Sequence, residues 1–261
     1  MKSVSYFAVC KELIRCDLVI FRQLVIDKII DFAVWASISI FVNAYILPYF
    51  GVQAGFGLFQ FGGILAAVGI FEIYRTAVDL VLDFEGDRIV DYRLTLPIPS
   101  WLALLSKVVY FVMIYFFLAV CMIPVGKLCL WNQLDLMQIN YPKLALALIF
   151  QSLFCACFAL FVSSWIEHVG KMGTIWSRCV FPMWFMGGFA FSWKALYSVW
   201  PAVAWIDLIN PMIYVTESTR VAILGQENFL NFWLCLVAIA FFSALCFVVG
   251  MRKLKRRLDY V

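Results

Sequence analysis

Charged residues are scarce in this chain. Of its 261 residues, 14% are Asp, Glu, Lys or Arg and 65% are hydrophobic, whereas soluble domains carry about 25% charged and roughly 45–50% apolar residues. A soluble core cannot hide this much apolar surface, so the composition excludes a water-soluble globular protein. It predicts an integral membrane protein, whose solvent is lipid.

Catalytic motifs are also missing. The single histidine, His168, stands in a short polar turn, and a solvated turn residue accounts for it better than a catalytic one does. The sequence has no HExxH helix and no GxSxG elbow, and its two Gly-Lys pairs, Gly126-Lys127 and Gly170-Lys171, lack the glycine and the Ser or Thr of a phosphate-binding loop. We therefore expect this chain to contain no catalytic residue and to bind no cofactor or metal.

Six long apolar runs dominate what is present. Each is close to the 20 residues that a helix needs to cross the hydrocarbon core, and the runs are continuous, unlike the alternating strands of a membrane barrel. The predicted spans are residues 29–50, 59–82, 101–125, 144–166, 174–192 and 229–251. We therefore predict an all-α integral membrane protein with six transmembrane helices in one domain, residues 1–261.

Positive charge is distributed unevenly between the two ends of these spans. Of the 20 Lys and Arg residues, only Lys127, Lys143, Lys194 and Arg220 fall on one side. Because cytoplasmic segments carry the excess of Lys and Arg, we expect both termini in the cytoplasm, with a basic tail at residues 252–261 that suits anionic lipid. This pattern predicts a multi-pass protein of a cell membrane and favours the bacterial inner membrane.

Residues 1–28 precede the first span and contain an amphipathic stretch. At 100° per residue, Lys11, Arg15 and Arg22 fall on one side of a helix, opposite mostly apolar residues. We expect a helix that lies in the inner interface and leads directly into the first span. Asp17 interrupts the division into two faces, and a cytoplasmic extension of the first span is the alternative.

Residues 193–228, between the last two spans, are too polar for a span and too apolar for a loop. The interrupting residues are Pro201, Asp207, Asn210, Pro211, Glu217 and Arg220. Because each unmet polar group costs several kcal/mol in hydrocarbon, we expect short re-entrant helices that enter the outer face and return. Glu217 and Arg220 have the i, i+3 spacing that predicts an ion pair between them.

Three ionisable residues lie inside the second predicted span. Glu72, Arg75 and Asp79 follow one another at intervals of three and four residues, which places them on one helix face. One interpretation is a charged face that lines a path or forms a switch. The other is a self-neutralised cluster near the inner interface, from which Arg75 extends toward the headgroups.

Two motifs carry a resemblance to a known family. Gly187-Gly188 is followed by LINPMIYVTESTR at residues 208–220 and by Leu224-Gly225, and residues 95–99 read TLPIP. Together with the six spans and the N-terminal lead-in, these motifs resemble the membrane subunits of ABC type-2 exporters, in which an "LNP…Y…E…R" run follows the fifth span. Residues 84–88 read FEGDR and depart from that family's commoner ERE-x-GT form. The likeness extends over essentially the whole chain.

The resemblance implies roles for two segments. Residues 83–100 would be an inner coupling loop that presses against an ATPase subunit. Its coupling residues would be Glu85, Gly86, Asp87, Arg88 and Asp91. Residues 193–228 would cap the exit path, with an outer gate formed by Asn210, Pro211, Tyr214, Glu217 and Arg220.

The resemblance also implies partners. Two cytoplasmic ABC ATPase subunits would bind ATP and Mg²⁺, and a second permease subunit, identical or different, would complete the unit within membrane lipid, with no role for nucleic acid. The substrate would be lipid-like, drug-like or a glycan and would move outward, with an amphiphilic small molecule favoured over a long polymer. An ion-driven secondary transporter and a membrane-embedded processing enzyme are the alternatives.

Overall fold

The protein is built from helices. The computed structural model describes residues 6–52, 55–86, 92–93 and 98–258, and no strand occurs among them. In chain order the α-helices are α1 (Tyr6–Phe41), α2 (Phe56–Glu85), α3 (Ser100–Cys129), α4 (Tyr141–Trp165), α5 (Met172–Ile175), α6 (Phe181–Trp184), α7 (Trp193–Val199), α8 (Pro201–Asp207), α9 (Pro211–Leu224) and α10 (Phe232–Leu258). The predicted all-α fold is confirmed.

Several of these helices are long enough to cross a bilayer. Within the described ranges, five helical segments combine sufficient length with sufficient hydropathy: Tyr6–Phe50, Phe56–Asp83, Trp101–Cys129, Tyr141–Trp165 and Phe232–Arg256. They coincide with the first four predicted spans and the last one. The chain is therefore a multi-pass membrane protein. At its end, α10 continues through residues 252–258, so this much of the basic tail is helical.

The predicted fifth span, residues 174–192, is helical without being one regular α-helix. Helices α5 and α6 alternate with π-helical turns at Trp176–Val180 and Phe185–Phe189. This kinked run, residues 172–189, is broken near its end at Gly188, whose φ of +77° lies in the left-handed region that favours glycine. Because the run is irregular, the count of six spans stays a prediction.

The N-terminal segment is not a separate element. Helix α1 has 36 residues, and at 1.5 Å per residue it is about 54 Å long, against roughly 30 Å for the hydrocarbon core. No break separates the predicted interface helix from the first span. Residues 6–28 therefore form one continuous helix with the first predicted span, and their place in the inner interface stays a prediction.

Helix α4 lies at the centre of the bundle, and α1 packs mainly against α3. Helix α4 contacts α2, α3, α9 and α10. A small residue lets α2 approach closely, since a Cβ added at Gly69 would lie 2.6 Å from Cys155 Sγ. Gln151 joins the same two helices by donating to the carbonyl oxygen of Leu65 at 2.8 Å.

Residues 193–228 contain three short helices, as the breaker residues predicted. Pro201 and Pro211 occupy the first turns of α8 and α9. Proline suits this position because a backbone N–H in the first turn has no partner within the helix. Asn210 caps α9 by accepting from the Met212 amide at 3.1 Å. Helix α9 buries every residue from 212 to 223 and packs on α2, α4 and α10, so it is a core element.

Candidate functional site

Arg220 of α9 binds four main-chain carbonyl groups. Its side chain is completely buried. Nη1 donates to Gly188 at 2.5 Å and to Phe191 at 2.8 Å, Nη2 donates to Phe189 at 2.8 Å, and Nε donates to Phe59 at 3.2 Å. The guanidinium also lies 3.6 Å from the centroid of the Phe59 ring. Since the last carbonyls of a helix lack partners and carry partial negative charge, Arg220 caps the kinked run and ties it to α2.

Glu217, three residues earlier on α9, binds main-chain amides instead of Arg220. Its Oε1 accepts from the Trp193 amide at 3.0 Å, and its Oε2 accepts from the Leu230 amide at 2.7 Å. The first of these amides opens α7, where a carboxylate is favoured by the helix dipole. The predicted ion pair between Glu217 and Arg220 is therefore wrong, because backbone groups of opposite partial charge already satisfy both side chains.

Two threonines complete this arrangement. Thr216 donates to the Gly187 carbonyl at 2.7 Å, and Thr219 donates to the Gly62 carbonyl at 3.1 Å. The cluster of Thr216, Glu217, Thr219 and Arg220 is called the outer clasp below, after the outer gate predicted for these residues. Sequence reasoning missed the threonines, although their spacing beside the two charged residues was a signal.

The other predicted gate residues support the segment around the clasp. Asn210 Nδ2 donates to the Met183 carbonyl at 2.8 Å, and the Tyr214 hydroxyl donates to the Leu208 carbonyl at 2.8 Å. Pro211 begins α9. All five predicted gate residues therefore belong to α9 or its cap. The side chains of Asn210 and Arg220 donate to main-chain carbonyls outside residues 193–228.

Asp207, at the end of α8, is a buried carboxyl beside the clasp. Its exposed fraction is 5%, and Oδ2 has no hydrogen-bond partner among the described residues. Burial raises the pKa of Asp207 to about 6, with Asn210 opposing the rise and the negative charge of Glu217 adding to it. This carboxyl therefore changes charge between acidic and neutral pH.

The predicted charge cluster of α2 is neutralised mainly by α1. The Lys28 ammonium donates to Glu72 Oε2, and Arg75 Nη2 donates to Asp31 Oδ2 at 2.7 Å. Between the described side chains of the cluster itself, Arg75 Nη1 approaches Glu72 Oε1 to 3.9 Å. The cluster therefore is not self-neutralised. Asp79 lies one helical turn farther on and lines a different cavity from Arg75.

A second network joins the predicted coupling loop to the helices. Arg93 donates to both carboxylate oxygens of Asp17, at 2.7 and 2.6 Å, and Lys107 donates to Asp17 Oδ1 at 3.1 Å. Asp17 and Arg93 are 3% and 7% exposed. We call this contact the Asp17 clamp. Asp17 interrupts the amphipathic pattern of α1 because it faces Arg93 and Lys107 in the protein interior.

The clamp borders a cavity of about 380 Å³ between α1, α2 and α3. Asp79 and Asp83 of α2 also line it. The sequence singled out Asp79 but did not connect it with Asp17, Arg93 or Lys107, because these residues come from four separate parts of the chain. A cavity lined by Asp17, Asp79, Asp83, Arg93 and Lys107 thus lies between these three helices.

The predicted coupling residues lie partly outside the described residues. Glu85 is the last residue of α2, and the Gly86 amide then donates to the Leu82 carbonyl at 2.9 Å. Asp87, Arg88 and Asp91 belong to ranges that the structure does not describe. Of the loop's interior, the structure describes Tyr92 and Arg93, and Arg93 bonds to Asp17 of α1.

These observations define a multi-pass helical membrane protein whose buried charges join separate helices. A family model described as ABC-2 type transporter matches residues 20–224. Because the match covers most of the chain, the protein belongs to the ABC-2 type transporter family, and it is a membrane permease component of an ABC transporter. Comparison with curated proteins finds no match.

Proposed function

We propose that this chain is the permease subunit of an ATP-driven ABC exporter that moves a lipid-like, drug-like or glycan substrate outward. The family match over residues 20–224 is the observation that carries the proposal. A second permease subunit, identical or different, forms the other half of the membrane unit. Two cytoplasmic ATPase subunits bind ATP and Mg²⁺ and supply the energy.

The topology that we propose follows the Lys and Arg bias. Both termini are cytoplasmic, residues 83–100 face the ATPase, and residues 193–228 lie at the outer face of a bacterial inner membrane. The outer clasp then closes the exit side, since Arg220 joins the end of the kinked run to the start of α2.

The Asp17 clamp supports a coupling role for residues 83–100. Two charge-assisted bonds, which are stronger than neutral ones, join Arg93 of this loop to Asp17 of α1. In this proposal ATP binding moves the coupling loop, Arg93 carries α1 and α3 with it, and the two permease subunits rock between inward-open and outward-open states.

The test is reconstitution with a candidate ABC ATPase subunit, for which the neighbouring reading frame is the first place to look. We expect the two to co-purify and to drive ATP-dependent uptake into inverted vesicles, where export fills the lumen. Replacement of Glu85, Asp87 and Arg88 by Ala should lower transport and its coupling to ATP hydrolysis, whereas Glu227→Ala, at an exposed site after α9, should not. Wild-type coupling in the triple variant contradicts the loop assignment, and uptake driven by an ion gradient without ATP contradicts the exporter itself.

A further inference from the structure

A cavity of about 470 Å³ opens between α1, α2 and the kinked run. This volume falls within the roughly 300–1,000 Å³ of small-molecule sites. It is separate from the outer clasp and from the Asp17 clamp, because neither set of residues lines it.

Aromatic rings form the walls of this cavity. Trp35 of α1 meets Phe71 of α2 with ring centroids 4.9 Å apart, and Trp176 of the kinked run meets Phe71 at 5.8 Å and Tyr74 at 5.3 Å. The rings therefore make a connected surface drawn from three helical segments. The face of an aromatic ring attracts a cation, and Trp does so most strongly.

A buried carboxylate lies among these rings. Glu72 lines the cavity with 1% of its side chain exposed. Lys28 occupies Oε2, but Oε1 has no hydrogen-bond partner among the described residues. A buried acceptor left without a donor costs about 1–3 kcal/mol, so a ligand N–H placed there would recover this cost.

The remaining charges at the cavity do not offer an equivalent site for an anion. Among the described residues of the lining, Arg75 is the one cationic side chain: its Nη2 donates to Asp31 at 2.7 Å, and its Nη1 stays 3.9 Å from Glu72 Oε1, beyond hydrogen-bonding distance. A bound anion would compete with Asp31 for this guanidinium and would lie near the Glu72 carboxylate. A cation meets the ring faces and Glu72 Oε1 instead, an oxygen that has no hydrogen-bond partner among the described residues.

We infer that this cavity binds an amphiphilic organic ammonium ion, with its apolar body against Trp35 and Trp176 and its N–H donating to Glu72 Oε1. A further step rests on the proposed function: ammonium compounds of this kind are the substrate class that the exporter transports. The cavity thus specifies a chemical class of substrate, which the family match does not.

The test compares two probes that share a naphthylmethyl body and carry opposite charge, 1-naphthylmethylammonium and 1-naphthylacetate. Equilibrium dialysis against the purified chain in lipid nanodiscs, corrected with empty nanodiscs, should show saturable binding of the ammonium probe alone. Glu72→Gln should weaken this binding at least tenfold, and Trp176→Leu several-fold. Glu227→Gln, the same change at an exposed residue outside the cavity, should leave the affinity unchanged.

Glu72→Gln leaves Lys28 without its partner, and the variant risks misfolding. The double change Lys28→Gln with Glu72→Gln removes both charges, and it should fold while still failing to bind the ammonium probe. Undiminished binding by the folded double variant, or preference for 1-naphthylacetate, overturns the inference.

This experiment also separates the inference from the proposed function. Binding of the ammonium probe by a chain that co-purifies with no ATPase supports the site and contradicts the exporter. ATP-driven transport by a chain that binds neither probe supports the exporter and contradicts the site.

Discussion

The guanidinium Nη1 of Arg220 lies 2.5 Å from the carbonyl oxygen of Gly188, 32 residues earlier in the chain. Gly188 adopts a φ of +77°, and a Cβ there would lie 2.7 Å from Ile213 Cδ1 and 2.9 Å from Thr216 Oγ1. The absent side chain thus lets α9 approach the end of the kinked run. The long, planar side chain of Arg220 then reaches carbonyls that the kink leaves without helical partners.

Replacement of Arg220 by Lys should destabilise the protein although it keeps the charge. An ammonium is a point charge with three donors and cannot reproduce the planar fork that serves four carbonyls here. Loss of even one such bond to a charged group costs about 1.5–3 kcal/mol, so the melting temperature in detergent should fall clearly. Arg178→Lys, at an exposed position of the kinked run, is the control and should melt like the wild type.

Neutralising Glu217 and Arg220 together should not restore what either single change loses. Each side chain bonds to its own set of backbone groups, so Glu217→Gln and Arg220→Gln remove separate contacts. We expect the double variant to melt no higher than the less stable single one. Recovery of thermal stability in the double variant would instead support a direct ion pair.

Gly188→Ala should destabilise the protein by about 2 kcal/mol or more. The left-handed conformation alone costs a residue with a Cβ about 1–2 kcal/mol, and the overlap with Ile213 and Thr216 adds to it. Gly170→Ala is the matched control, because a Cβ at Gly170 meets no atom within 4 Å. Equal melting temperatures for the two variants would contradict the close approach.

Asp17→Asn should destabilise the protein strongly, by about 3–5 kcal/mol, since it leaves the buried Arg93 beside the half-buried Lys107 without the carboxylate that binds both. Adding Arg93→Gln should recover part of the melting temperature because one unpaired cation is removed. Under the proposed function, the double variant still lacks the clamp and should show reduced stimulation of its ATPase by transport substrate.

The control for the clamp is Glu12→Gln on the same helix, where the carboxylate is 62% exposed and pairs with Arg15 at 3.7 Å. Such surface pairs contribute little. A normal ATPase response in a folded Asp17→Asn, Arg93→Gln variant would show that the clamp only stabilises the fold.

Stability should depend on pH through Asp207. Its pKa is raised from 3.8 in the unfolded chain to about 6 in the folded one, so between these values the folded state binds more protons than the unfolded state. The stability that it contributes is therefore full below about pH 4 and is lost as pH rises to about 6, by up to about 3 kcal/mol. Asp207→Asn should flatten the plot of melting temperature against pH over this window. An unchanged plot would contradict the effect of burial on Asp207.

Several features were predictable because they depend on local sequence. Pro201 and Pro211 begin short helices, Asn210 caps one of them, and the apolar runs form the long helices. The kink at Gly188 was also present in the sequence as a Gly-Gly pair. Whether residues 1–28 continue the first span was left open, because an amphipathic pattern is compatible with both an interface helix and an extension that packs on α3.

The sequence by itself determined the solvent of this protein, its helical class and its family, because long apolar runs and the spacing of breaker residues are local properties. Only the tertiary structure decided where the buried charges go. Glu217 and Arg220 are neighbours on α9, yet each binds backbone groups of other elements, and Glu72 is paired with Lys28 of α1. Helical spacing shows which side chains share a face, but helix packing brings distant carbonyls, amides and charges to that face.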